Sequence, residues 1–330
     1  MRPERYVGAL IASFFFPGFG QGLVRRRLLM LVLALADVAI FGLALWSVWM
    51  LPVGLALRIV ATIDAGRRMR QPQLTWDRTL PAMAVVLGAI GIGYVQLETT
   101  AFVVPTSSMY PTVQIGDHVF IDKLSFTLRP PRRGELIAFH HPCEPERVYL
   151  KRVVAVAGDT VELRCSVLYI NGTAISDTLI EGSTCSYDDV LENGRIDKRP
   201  CSRYRQTLDS TTFDTFDDPD RPTRATEVHF GRDFPQLDGL VRPPSCATQM
   251  DGEPLRGTNQ ARGTVVDTRP ASGVCAPQVH YVVPERSLFT LGDNRWNSSD
   301  SRYWGAVPLE NVIGRVIGNW WPASRFGAFQ

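Results

Sequence analysis

The apolar positions divide the chain into two parts. Residues 1–104 contain long, almost uninterrupted apolar runs, whereas residues 105–330 alternate apolar and polar positions over short stretches. Long runs are typical of membrane-spanning helices, and short alternating stretches are typical of half-buried strands. The pattern therefore predicts an α-helical transmembrane region, residues 1–104, followed by a mainly β soluble region.

The clearest predicted span is residues 28–49, which contain one charged residue, Asp37. A helix of this length crosses a hydrocarbon core of about 30 Å at a rise of about 1.5 Å per residue. Further spans are predicted at about 51–65 and 80–100. Residues 7–24, which include the sequence PGFGQG, are either re-entrant or interfacial. We assign Asp37 to helix packing, because the sequence shows no other chemistry around it.

Two arginine clusters predict the orientation of these spans. The clusters lie at residues 25–27 and 67–70 and favour the cytoplasmic side. The two spans between them then form a hairpin, and the span at 80–100 leads outward. This predicts a multi-pass protein of the inner (cytoplasmic) membrane whose residues after about 101 lie on the periplasmic, extracytoplasmic side.

The soluble region contains stretches rich in β-branched and aromatic residues, which favour strands. The predicted strands include residues 117–122, 134–141, 148–164 and 167–175. Asn171-Gly172 is a typical hairpin turn. Residues 176–278 are polar and contain four cysteines, so they are predicted to form an inserted subdomain between residues 105–175 and 279–330.

All six cysteines lie after residue 140, and none lies in the apolar region. An even number of cysteines in one soluble region predicts disulfides in an oxidising compartment, which agrees with the orientation given above. Buried free thiols are the alternative. Six cysteines allow about 15 pairings, and the sequence does not select among them.

Charge and motifs exclude several classes of function. The formal net charge of +2 gives no indication of a nucleic-acid or other polyanionic partner. The five histidines form no H-E-x-x-H pattern, and the chain has neither a G-x-S-x-G elbow nor a glycine-rich phosphate loop ahead of a helix. No metal site and no cofactor are therefore predicted.

Lysine is rare in this chain, with three lysines against 32 arginines. Unlike arginine, a desolvated lysine can lose its proton and act as a base. Alternation along 148–156 places Lys151 on an apolar and aromatic face with Tyr149 and Val153. Lys151 is therefore a candidate for a Ser-Lys pair, and a lysine that extends from an edge strand towards solvent is the alternative.

Three blocks of the soluble region carry a resemblance to a known family. They are PTSSMYPTVQIGDHVFIDK (105–123), YLKRVVAVAGDTVE (149–162) and GDNRWNSSDSRYWGAVPLENVIGRV (292–316). In this order they resemble the best-marked blocks of bacterial type I signal peptidases. The chain departs from the family at Trp296, where Asp is usual, and at Ala155, where Gly is common.

The resemblance implies a membrane-anchored serine endopeptidase with a mainly β, antiparallel catalytic domain. Residues 105–175 and 279–330 would form that domain, and residues 176–278 resemble the family's second, non-catalytic subdomain. Ser108 would be the nucleophile and Lys151 the general base. The backbone N–H of Ser108 and the hydroxyl of Thr106 would hold the oxyanion.

Supporting and substrate-binding residues are implied as well. Ser298 would hydrogen-bond to Lys151 and orient it, Asp300 and Arg302 would form an ion pair behind the site, and Asp293 would hold a turn. Ser107 receives no role. The pockets for small substrate residues would be lined by Val104, Pro105, Met109, Val113, Tyr149 and Leu150.

The implied partners are signal peptides of exported pre-proteins, the lipid bilayer and the secretion translocon. Cleavage is expected after small residues in an Ala-x-Ala pattern. The predicted nucleophile lies only about eight residues beyond the last predicted span, hence within roughly 25 Å of the membrane. Two alternatives stay open: a specialised Ser-Lys peptidase that matures one substrate class, such as a pilin or conjugation protein, and an inactive membrane scaffold with the same fold.

Overall fold

The chain forms two compact units, Met1–Thr99 and Thr100–Gln330. The structure is a computed structural model, and it describes residues 10–17, 19, 21, 27–44, 50–69, 99–191, 193–224, 233–235, 246, 263–267, 273 and 275–329. Parts of the predicted membrane segments lie outside the described residues, namely 80–98, 45–49 and much of 7–24.

Two long helices and a shorter helical stretch at residues 10–15 form most of the described part of the first unit, and the second unit contains only short helices among its described residues. The helices are α1 (Arg27–Ala44), α2 (Met50–Met69), α3 (Ser125–Leu128), α4 (Arg221–Arg224) and α5 (Ser301–Trp304). Within the described ranges, neither α1 nor α2 nor any shorter helix combines the length and the apolar character needed to cross a membrane.

Polar contacts join α1 and α2. Arg58 of α2 forms an ion pair with Asp37 of α1, with 3.1 Å between Nε and Oδ1. Gln21, in the PGFGQG segment, donates hydrogen bonds to the carbonyl oxygen of Ala61 at 2.9 Å and to Asp64 at 3.0 Å. Asp37 therefore takes part in helix packing, and Gln21 ties its segment to α2.

The second unit is built from short strands. In chain order the described strands are β1 (Thr99–Val103), β2 (His118–Asp122), β3 (Leu136–His140), β4 (Val148–Val156), β5 (Thr160–Arg164), β6 (Val167–Ile170), β7 (Thr173–Ala174), β8 (Ser176–Glu181), β9 (Ser186–Val190), β10 (Ile196–Pro200), β11 (Ser202–Leu208), β12 (Thr211–Asp217), β13 (Thr264–Asp267), β14 (Val279–Val282), β15 (Ser287–Leu291), β16 (Val307–Pro308), β17 (Val312–Trp321) and β18 (Gly327–Ala328).

These strands pair into four sheets within the described residues. The largest has the order β1-β2-β17-β3-β4-β15-β16, with β18 also paired to β17, and the second has the order β13-β14-β5-β6-β7. A three-stranded sheet β12-β11-β8 and the hairpin β9–β10 belong to the segment between β7 and β13. The registers described are antiparallel, which confirms the predicted mainly β fold.

Local sequence accounts for several strand ends. The stretch predicted at 148–164 is divided into β4 and β5 by Gly158, whose φ of 84° is readily adopted only by glycine. Asn171 and Gly172 both have positive φ, 52° and 75°, and join β6 to β7 as the predicted hairpin turn.

The main hydrophobic core lies between the two large sheets. It includes buried residues of β4 and of β15, which is buried along its whole length.

The structure pairs all six cysteines in disulfides: Cys143–Cys246, Cys165–Cys275 and Cys185–Cys201. The first two link the main β domain to the segment predicted as an insertion, across 103 and 110 residues of sequence. The third closes the β9–β10 hairpin. Such cross-links favour the folded state by restricting the unfolded chain.

Candidate active site

The loop between β1 and β2 carries the predicted nucleophile. Backbone hydrogen bonds close this loop from Val104 N–H to Asp117 O at 2.9 Å and from Gly116 N–H to Val104 O at 2.8 Å. Met109 is buried beneath it, so the loop is fixed on its inner side. Ser108, just before Met109, stays partly accessible at the surface of the loop.

Lys151 on β4 reaches Ser108 directly. Its Nζ donates a hydrogen bond to Ser108 Oγ at 2.8 Å and another to the carbonyl oxygen of Leu150 at 3.1 Å. Thr106 Oγ1 lies 3.2 Å from Ser108 Oγ. The three residues that the sequence associated with proton transfer and the oxyanion are therefore adjacent in the structure.

The surroundings of Lys151 favour its neutral form. The side chain is buried, with 2 % of the residue exposed. Burial lowers the pKa of Lys151 from its ordinary value of 10.5 to about 8, the charges of Asp300 and Asp293 act in the opposite direction, and Arg302 adds to the lowering. A substantial fraction of Lys151 is therefore unprotonated at mildly alkaline pH.

Asp300 and Arg302 form an ion pair behind the site, with 2.8 Å between Arg302 Nε and Asp300 Oδ1. Burial acts to raise the pKa of Asp300, but the charge and hydrogen bonds of Arg302 outweigh it, so the pKa lies below its usual range. The carboxylate also accepts a hydrogen bond from the N–H of Gly292 at 3.1 Å, which fixes the turn after β15.

Ser298 lies beside the site, but its described contacts differ from those expected. Its hydroxyl lies 3.5 Å from the carbonyl oxygen of Ser299 and also interacts with Asp300. Among the described hydrogen bonds, none joins Ser298 to Lys151. A side chain at Gly292 would overlap with Ser298 and with the carbonyl oxygen of Ser108, so the glycine is what allows these segments to meet.

Sequence reasoning missed Arg152, which forms a fully buried ion pair with Asp293. The two side chains are 0 % exposed and 2.7 Å apart, and Arg152 also donates to Gly134 O at 2.7 Å. Leu291 lies opposite Arg152 in the β15–β4 register, so Asp293 follows at the end of β15 beside the guanidinium. The sequence did offer a signal for this pair, namely an arginine within an otherwise apolar strand. An arginine is almost never fully buried unless it is paired with a carboxylate. Losing one partner of such a pair typically costs about 3–5 kcal/mol.

A cavity of about 630 Å³ opens beside Ser108 and Lys151. Five of the six predicted pocket residues line it, namely Val104, Pro105, Met109, Tyr149 and Leu150. The sixth, Val113, is fully buried and packs in the same hydrophobic cluster as Met109 without lining the cavity. The lining also includes Asp189, Val190, Asn297 and Ser299, which the sequence did not indicate.

Comparison with known proteins defines the class of this chain. Residues 76–321 match the family described as "Signal peptidase, peptidase S26". Signal peptidase I of Aquifex aeolicus is 30% identical over 66% of this chain and 73% of its own length, and signal peptidase I of Leptolyngbya laminosa is 25% identical over 74% and 78%. A crystal structure of a signal peptidase I from Enterococcus faecalis covers 56% of this chain and 96% of its own, at 23% identity and a TM-score of 0.24.

The protein is therefore an endopeptidase. More particularly, the chain belongs to the signal peptidase family, peptidase S26, which confirms the resemblance carried by its three sequence blocks.

Proposed function

We propose that this protein is a membrane-bound serine endopeptidase that removes N-terminal signal peptides from exported pre-proteins by a Ser-Lys mechanism. The observation that carries the proposal is the 2.8 Å contact between Lys151 Nζ and Ser108 Oγ. It joins a hydroxyl to a buried amine whose pKa is lowered to about 8, at the edge of an apolar cavity. A candidate general base needs this reach and a pKa near the working pH.

In the acylation step, neutral Lys151 takes the proton of Ser108 while Oγ attacks the carbonyl carbon of the scissile bond. The resulting oxyanion accepts hydrogen bonds from the backbone N–H of Ser108 and the hydroxyl of Thr106. Among the described hydrogen bonds none uses the Ser108 N–H, which supports its assignment as a donor to substrate. Removing one such donor typically lowers the rate by about 10²–10³-fold.

The protonated Lys151 then gives its proton to the leaving amine as the C–N bond breaks, which leaves an acyl-enzyme on Ser108. A water molecule loses a proton to Lys151 and attacks the ester carbonyl in the second step. The ester C–O bond breaks, the proton returns to Ser108 Oγ, and the signal peptide leaves with a free carboxylate. Ser298 and the Asp300–Arg302 pair are the proposed supports of Lys151 in both steps.

Substrate selection would come from the apolar part of the cavity. Val104, Met109, Tyr149 and Leu150 place bulky side chains in the lining of the cavity beside the nucleophile, and we propose that the subsites between them take the small side chains of an Ala-x-Ala site. A rigid pocket of this kind rejects larger side chains by overpacking.

Purified protein is expected to cleave a precursor peptide after Ala-x-Ala and to lose kcat/KM by on the order of 100-fold when both alanines are replaced by leucine. The matched control carries leucine only at the middle position, which is expected to stay cleavable. Mass spectrometry of the products gives the cleaved bond. Equal cleavage of all three peptides would contradict the assigned pockets, and no cleavage of any would contradict the proposed function.

The proposed location is the inner (cytoplasmic) membrane, with several spans and with the second unit on the extracytoplasmic side. That location would bring the lipid bilayer and the translocon within reach. Many large apolar side chains of α1 and α2 are exposed, which supports contact with lipid. They are Leu28, Leu31, Val32, Leu35, Val53, Leu55, Ile59, Val60 and Ile63.

An exposed aromatic patch on the second unit adds support for a lipid surface nearby. It consists of Phe120 on β2 and Trp320 on β17, and both side chains are exposed, as are those of Trp321 and Phe326 further along the chain. The Phe120 and Trp320 rings lie 6.0 Å apart, so they form one surface. Tryptophan is enriched where a protein meets the membrane interface.

Isolated membranes washed with alkaline carbonate are expected to retain the protein in the pellet. Protease added to spheroplasts is expected to digest the second unit and to leave a cytoplasmic control protein intact. Release by the wash would contradict the anchor, and digestion only after lysis would contradict the orientation.

A further inference from the structure

The β9–β10 hairpin stands against the candidate nucleophile loop. Its two ends are joined by Cys185–Cys201, and those cysteines form a buried cluster with Tyr187 and Phe216. Tyr110, two residues after Ser108, packs on that cluster with its ring 5.6 Å from the ring of Tyr187. The disulfide therefore closes the base of the hairpin, and the packing of Tyr110 holds that base against the nucleophile loop.

Asp189 of β9 forms a hydrogen bond with Ser107, the residue that precedes the proposed nucleophile. Its carboxylate accepts a hydrogen bond from the hydroxyl of Ser107 at 2.6 Å and another from Asn297 Nδ2 at 2.9 Å. Asn297 Nδ2 also donates to Ser107 Oγ at 3.0 Å. Ser107 is only 2 % exposed, so its hydroxyl serves this network rather than the substrate.

Further hydrogen bonds orient the peptide group that joins Ser107 to Ser108. Asn294 donates from Nδ2 to the carbonyl oxygen of Ser107 at 3.1 Å and from its backbone N–H to the carbonyl oxygen of Ser108 at 3.1 Å. The Ser107 carbonyl and the Ser108 N–H belong to one planar peptide group and point in opposite directions. Fixing Ser107 from its side chain and its carbonyl therefore fixes the direction of the Ser108 N–H.

Asp189 has a further, charged partner on the other strand of the hairpin. Arg199 of β10 lies 3.0 Å from Asp189 Oδ2, and its side chain is 43% exposed. The Asp189 carboxylate therefore has three partners, Arg199, Ser107 and Asn297. The Asp189 side chain is only 12% exposed, so its carboxylate is held in the direction of Ser107 and Asn297.

We propose that Asp189 is a positioning residue, which acts through Ser107 to orient the Ser108 hydroxyl and the Ser108 N–H. The inference rests on the proposed function, because it assigns a task in that reaction to a residue outside the three family blocks. The segment between β7 and β13 would then contribute to the reaction of the main domain through the contact between Asp189 and Ser107.

The test is steady-state cleavage of the Ala-x-Ala peptide by Asp189→Ala, Ser107→Ala and the double variant. Each single change is expected to lower kcat by about 10- to 100-fold, the loss that a small misplacement of reacting groups produces, with KM little changed. The double variant is expected to be no slower than the worse single variant, because both remove the same link. Asp189→Asn, which still offers an oxygen to Ser107, is expected to recover part of kcat.

Asp188→Ala is the matched control, since Asp188 is exposed on the same strand, and wild-type kinetics are expected for it. Thermal melting and disulfide content show whether each variant is folded. If Asp189→Ala is unfolded, the kcat and KM of Ser107→Ala and Asp189→Asn test the inference in its place. Wild-type kcat in Asp189→Ala, multiplicative losses in the double variant, or a raised KM at constant kcat would overturn the inference while leaving the proposed function intact. Absence of cleavage by the wild type would overturn both.

Discussion

Replacing Ser108 with alanine is expected to lower kcat for the Ala-x-Ala peptide by on the order of 10⁶-fold, because the covalent route is lost with the nucleophile. In the proposed mechanism, Ser108 Oγ is the atom that Lys151 Nζ contacts at 2.8 Å and that lies 3.2 Å from the Thr106 hydroxyl. Peptide binding is expected to be retained, because the apolar cavity is unchanged. Single-turnover cleavage followed by mass spectrometry measures the first quantity, and equilibrium binding of the peptide measures the second.

Ser107→Ala is the closest control, because it removes the neighbouring hydroxyl from the same loop. The Ser107 hydroxyl donates to Asp189 at 2.6 Å and is buried, so its removal is expected to cost only about 10- to 100-fold. Comparison of the two variants therefore distinguishes loss of the nucleophile from loss of its positioning. Equal losses, or cleavage retained by Ser108→Ala, would contradict the choice of nucleophile.

The sequence predicted those parts of the molecule that depend on short-range patterns. Alternation gives the side on which Lys151 lies, and Asn171-Gly172 gives a turn, because both depend on a few consecutive residues. The strand pattern of 117–175 predicted β2 to β6 in the same way, apart from the break at Gly158.

The parts that were missed depend on residues far apart in the chain. Ser107 and Asp189 are separated by 82 residues, and Arg152 and Asp293 by 141. Asp189 lies in a polar segment with no motif, so nothing in its neighbours indicates that it faces the nucleophile loop. The cysteine pairing was inaccessible for the same reason, since composition gives the number of disulfides but not their partners.

The buried charges around Lys151 explain how a lysine remains available as a base. Two carboxylates lie close enough to raise its pKa, Asp300 and Asp293. Each is already engaged by an arginine, Asp300 by Arg302 and Asp293 by Arg152. None of the described ion pairs includes Lys151. Burial therefore dominates and lowers the pKa of Lys151, while the two arginines, which stay protonated, act as counter-ions of the carboxylates.

Lys151→Ala and Lys151→Arg are both expected to lower kcat by about 10⁴-fold or more, on the scale of losing the general base of a hydrolase. Arginine keeps the positive charge but stays protonated in proteins, so it is expected to fail as a base as fully as alanine does. Lys123→Arg is the matched control on a lysine outside the site, and it is expected to leave kcat unchanged. Activity in Lys151→Arg would show that a cation, rather than a base, is what the reaction needs.

The pH dependence follows from the same residue. Below about pH 8 Lys151 is mostly protonated, and above it mostly neutral, so wild-type kcat/KM is expected to rise with pH and to level off above that value. Arg302→Met is expected to move the midpoint to higher pH, because it removes a cation that lowers the pKa of Lys151 and leaves Asp300 unpaired nearby. Arg205→Met, on an arginine that is 51% exposed and paired with Asp214, is expected to leave the midpoint unchanged. A profile that falls with pH, or equal midpoints in the wild type and Arg302→Met, would contradict Lys151 as the group whose deprotonation starts the reaction.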